Sequence, residues 1–97
     1  MALADIVFGE LEKLARRRRD SDFGTTLICS EDEVCAALKR NSYVPTFRFW
    51  QGCNYWLIFS EKSDGVHYDR LAFYGPHGDN REYLVQRSIG DPNTDYD

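Results

Sequence analysis

The sequence predicts an α+β fold: two helices packed on a roughly four-stranded antiparallel sheet, in the order α-β-α-β-β-β-β. Three observations carry this. Apolar residues repeat at helical spacing before Pro45 and at period two after it. Short turn signals separate the period-two segments, which makes a meander and not a series of crossovers. Two amphipathic helices beside such a meander most simply cover one face of its sheet.

The first helix is expected over residues 3–19. Leu3, Val7, Leu11 and Leu14 recur on one helical face, widened by Ile6 and Ala15. Glu12 and Arg16 are spaced to pair one turn apart. The run Arg16-Arg17-Arg18-Arg19 would crowd the C-terminal end, where the helix dipole favours cations. Asp20-Ser21-Asp22-Phe23-Gly24 is a polar break, and Thr25–Cys29 is a short β-rich run. Ser30 opens the second helix. With Glu33 three residues on it forms a capping box, in which each side chain satisfies a free N–H of the first turn. Val34, Ala37 and Leu38 form the stripe that this helix buries, with Cys35 beside it. Asn41 is its stop, and Pro45 excludes helix much beyond Tyr43.

Four strands are then expected, at Thr46–Trp50, Tyr55–Ser60, Val66–Tyr74 and Arg81–Arg87. Ser63-Asp64-Gly65 is a turn, residues 75–80 are a loop, and Asp69-Arg70 breaks alternation as a bulge would. Alternation separates Phe47, Phe49, Tyr55, Leu57 and Phe59 from Arg48, Trp50, Trp56 and Ile58. Both sets hold large aromatics, so the face away from the helices is expected to carry some of them. Residues 1–90 read as one domain and residues 91–97 as a mobile acidic tail.

The chain has 97 residues, 42% hydrophobic and 14% aromatic, which suits one globular core. No apolar run is long enough for a membrane span, and the first residues lack the basic leader and apolar stretch of a secretory signal. The spacings of Cys29, Cys35 and Cys53 fit no zinc or redox motif, so reduced thiols and a cytoplasmic location are expected. No phosphate-binding glycine loop or nucleophile elbow is present. Cys53 and His67 on neighbouring strands lack a third member. Glu31, Asp32, Glu33 and Asp79 need no metal, because an acidic helix N-terminus accounts for the first three. Neither catalytic residues nor a metal or cofactor is expected.

Net charge is −4, an acidic body with one basic knot. Two binding surfaces follow. Asp20, Asp22, Glu31, Asp32 and Glu33 are expected to gather at one end of the molecule, imitating phosphates toward a basic protein, with Trp50 or Trp56 as an apolar anchor. The alternative is a phosphate clamp formed by Arg16, Arg17, Arg18 and Arg19, which would bind nucleic acid directly. In size, acidity and simplicity the chain resembles the small bacteriophage proteins that act against host defence, of the anti-CRISPR and anti-restriction type. That resemblance implies a stoichiometric inhibitor that occupies a nucleic-acid-binding complex by DNA mimicry. A monomer or weak homodimer is expected, since an unpaired outer strand could support dimers.

Overall fold

A computed structural model describes residues 3–22, 24–44, 48–50, 53–61 and 68–90. Among them are two helices, α1 (Leu3–Leu14) and α2 (Glu31–Arg40). Six strands accompany them: β1 (Arg17–Ser21), β2 (Gly24–Ser30), β3 (Arg48–Trp50), β4 (Cys53–Glu61), β5 (Tyr68–His77) and β6 (Glu82–Gly90). The strands form one antiparallel sheet in the order β1-β2-β6-β5-β4-β3. The α+β class and antiparallel sheet are as the sequence predicts. The strand number and element order differ, because β1 stands where the first helix was expected to continue.

The helix ends early for a physical reason. Ala15 N–H still bonds Leu11 O at 2.8 Å, but Arg16 N–H already donates to Ile28 O of β2 at 2.9 Å. The apolar stripe has run out by then, so further helix would bury nothing. The turn residues that follow instead fold residues 17–21 back along β2 as a hairpin, with Arg17 opposite Ile28 and Arg19 opposite Thr26. Gly24 closes this hairpin at φ +140°, where an added Cβ would lie 2.0 Å from Arg87 O. The buried stripe of α1 is also rotated from the expected one. Ala4, Val7, Phe8 and Leu11 are buried, whereas Leu14 is 48% exposed. Glu12 pairs with Arg18, and not with Arg16 as its spacing had suggested.

The second helix follows its sequence signals except that the capping box is half-formed. Ser30 caps the helix, but Glu33 does not return the bond, and its Oε2 is buried without a hydrogen-bond partner among the described residues. The Ser30 hydroxyl accepts from Glu33 N–H at 3.2 Å, the helix stops at Asn41, and Val34, Ala37 and Leu38 are buried while Cys35 is exposed. Both helices lie on one face of the sheet. The core forms there, from Leu27 and Cys29 of β2, Trp56 and Ile58 of β4, Leu71 and Phe73 of β5, and Tyr83 and Val85 of β6. Trp56 stacks on Phe73 with ring centroids 4.7 Å apart and meets Tyr83 edge-on at 5.5 Å. Arg87 ties α1 down: it pairs with Asp5 of α1 and with Asp69 of β5 at 3.1 Å, and its guanidinium lies 5.1 Å from the Phe8 ring.

The irregularity in β5 is not at Asp69-Arg70, which pair regularly with Ile89 and Ser88. It lies between Tyr74 and His77. Gly75 sits there at φ +154°, with Tyr83 packed so closely that an added Cβ would meet its ring at 3.0 Å and Glu82 O at 2.9 Å. The expected loop at 75–80 is therefore strand as far as His77. Register also regroups the central hairpin, since Arg48 stands opposite Tyr55 and Trp50 opposite Cys53. No helix among the described residues is long and apolar enough to cross a membrane.

Candidate functional site

Strand alternation divides the arginine run. Arg18 lies opposite Leu27, on the helix side, and is engaged by Glu12 and by Asp20 at 3.2 Å. Arg16 reaches Glu82 at 3.4 Å. Arg17 and Arg19 stand opposite Ile28 and Thr26, on the face without helices, and neither has an ion-pair partner among the described residues. Two residues along a strand, they are about 6.7 Å apart. With Thr26, Ile28, Leu84 and the intervening Arg18 they line a groove of about 530 Å³. Its floor is apolar, and Leu84 is 37% exposed.

The pairings across the sheet extend the site. Arg17, Ile28, Leu84, Tyr74 and Tyr55 stand opposite one another in turn, forming one row from β1 to β4. The row crosses four inter-strand steps, about 19 Å. Tyr55 and Tyr74 are half-buried, and their rings lie nearly parallel, 20° apart, with centroids at 6.0 Å. Beside them Arg70 donates to Tyr74 Oη at 3.2 Å and to Ser88 Oγ at 3.3 Å, while its buried Nε has no hydrogen-bond partner. On this face Ala72 and Leu57 are buried, Tyr55 and Tyr74 keep partial exposure, and toward β1 the surface opens into the arginine groove.

Carboxylates that could have neutralised this face are held elsewhere. Asp20 is kept below the usual carboxylate range by the Thr25 hydroxyl, at 2.8 Å, and by Arg18. Glu31 is lowered by a two-pronged bond from Arg81, at 2.7 and 2.9 Å, which fastens the start of α2 to the β5–β6 turn. Glu10 is lowered by Arg40. Glu82, on the same face, is the partner of Arg16.

The acidic surface expected from the sequence is not assembled. Asp20 and Asp22 lie at the β1–β2 turn, whereas Glu31, Asp32 and Glu33 begin α2 at the far end of β2. That seven-residue strand keeps the two groups about 20 Å apart. Trp56 cannot serve as an exposed anchor, since it is 3% exposed within the core. The Trp50 side chain, His67 and the 91–97 tail lie outside the described residues, so the Cys53–His67 pair does as well. What sequence reasoning missed is the partnership of Arg17 and Arg19 with Tyr55, Tyr74 and Arg70. Period-two spacing within each strand was visible, but only the register aligns one strand's residues with the next.

A second hollow, of about 520 Å³, lies between α2 and the sheet beside Cys35, Tyr43, Val44 and Tyr83. Burial, with Glu31 and Asp32 nearby, raises the Cys35 thiol above its ordinary range, which makes it a poor nucleophile at neutral pH.

No protein-family model, curated protein sequence or solved structure matches the chain.

Proposed function

We propose that this protein binds a nucleic-acid strand on the helix-free face of its sheet, with Arg17 and Arg19 as the phosphate contacts. The observation that supports the reading is the division of the arginine run. Two of its members are spent on intramolecular acids, and two project from an edge strand over an apolar groove with no acid paired to them among the described residues. Exposed guanidinium groups of this kind suit phosphate oxygens, which they meet with paired donors. The acidic residues on the rest of the molecule confine attraction to this one face, despite a net charge of −4.

The test is fluorescence anisotropy with short labelled oligonucleotides over a salt series. The double variant Arg17→Ala/Arg19→Ala is expected to bind about tenfold more weakly. It should also flatten the slope of log affinity against log salt by about 1.4, the share of two phosphate contacts on a single strand. Arg18→Ala should leave that slope nearly unchanged, because Arg18 is already paired with Glu12 and Asp20. Absence of binding by the wild type at about 50 mM salt would overturn the proposal and leave an acidic protein partner as the ligand for these arginines.

A further inference from the structure

Resting on that reading, we infer that the bound strand is unpaired, with its phosphates at Arg17 and Arg19 and its bases laid across Leu84 onto Tyr74 and Tyr55. The groove floor is the first argument. Ile28 and Leu84 are apolar, and Leu84 is exposed enough to gain from being covered. A duplex turns its bases inward and offers a surface mainly phosphates, so it would leave this floor in contact with charged backbone. An unpaired strand offers flat apolar base faces beside its phosphates.

The row across the sheet is the second argument. Arg17, Ile28, Leu84, Tyr74 and Tyr55 follow one another in register, so a chain anchored at Arg17 is led toward two nearly parallel aromatic rings. Aromatic rings are stacking partners for any base, and binders of single strands pair such rings with a cationic track. The span of about 19 Å suits the short end of known site sizes, about four nucleotides. Arg70 sits beside the rings with its Nε buried and without a hydrogen-bond partner, and adds positive charge where the strand would pass.

The experiment compares three ligands of equal length on one instrument: a single strand, its duplex, and a strand of abasic sites that keeps the phosphates. Wild type is expected to prefer the single strand over both others by at least about fivefold, the lower bound for one stacked base. Tyr74→Leu should erase the preference without changing the salt slope, and Tyr74→Phe, which keeps the ring, should retain it. Circular dichroism of both variants checks that the sheet is intact. If duplex and abasic strands bind as well as the single strand, and Arg17→Ala/Arg19→Ala still weakens all three, the base-stacking inference falls and the phosphate reading stands. If none of the three binds, both fall together.

Discussion

Trp56 does not hold the exposed position that the sequence suggested for it. Trp56 sits in an alternating aromatic segment from which either face could meet a partner, and only the position of the helices decides. They cover its face, and it stacks on Phe73 with little exposure left. Trp56→Ala should therefore cost about 3–5 kcal/mol, read as a lowered urea midpoint, through lost burial and a cavity the packed core cannot close. An exposed binding tryptophan would show almost no change. The exposed position of Arg17 on the helix-free face follows from a choice of secondary structure. In a helix the four arginines would fan around the axis; in a strand, every second one faces the same way.

At the scale of elements, α2 and the last three strands were legible, because each carries its own local signal: the Ser30 cap with Glu33, the stop at Asn41, and period-two runs bounded by turns. Strand β1 was not legible. Arginine is a good helix former, and nothing within residues 16–19 favours a strand. Their conformation is set by the pairing with β2, a tertiary cause that overrides local preference. The bulge in β5 was misplaced for a similar reason. Asp69-Arg70 looked like a break in alternation, but Asp69 is turned inward to meet Arg87, while the real irregularity surrounds Gly75. Gly75→Ala should destabilise the protein by about 1–3 kcal/mol, measured by thermal or urea unfolding, because both the backbone angle and the packed Tyr83 ring oppose a side chain there. Gly9→Ala, on a helix with nothing within 4 Å of the new methyl, should be neutral or stabilising.

For the whole molecule, stability should fall in alkali. Burial, reinforced by Glu33, pushes the Cys29 thiol up to about 12 from its ordinary 9.0. Burial, with Glu31, likewise raises Tyr83 above its ordinary 10.0. The unfolded chain releases these protons at lower pH than the folded one. Between about pH 9 and 12 the folded state thus binds more protons, and stability declines as pH rises. The urea midpoint should be lower at about pH 10.5 than at about pH 8, and Cys29→Ala should flatten that decline. Charge is distributed on the same scale. On the helix side Glu10, Glu12 and Glu31 are bridged to Arg40, Arg18 and Arg81, whereas the opposite face holds Arg17, Arg19 and Arg70 beside Glu82. This asymmetry could not be read from composition, which reports only the net charge.

The sheet has a seam. Strand β2 touches the rest of it only through β6, so residues from opposite ends of the described chain, such as Leu27 and Val85, must meet before the sheet exists as one piece. Until then it is a hairpin of β1 and β2 and a separate meander of β3 to β6. Sheets closed by such non-local pairing fold on the order of milliseconds to seconds, and this closure is the step expected to be slow. During synthesis β6 is also the last of the described strands to be made. A growing chain therefore carries Arg17 and Arg19 long before it has Leu84 to set beneath them, and a ribosome-bound fragment ending before β6 would hold the charges of the groove without its floor.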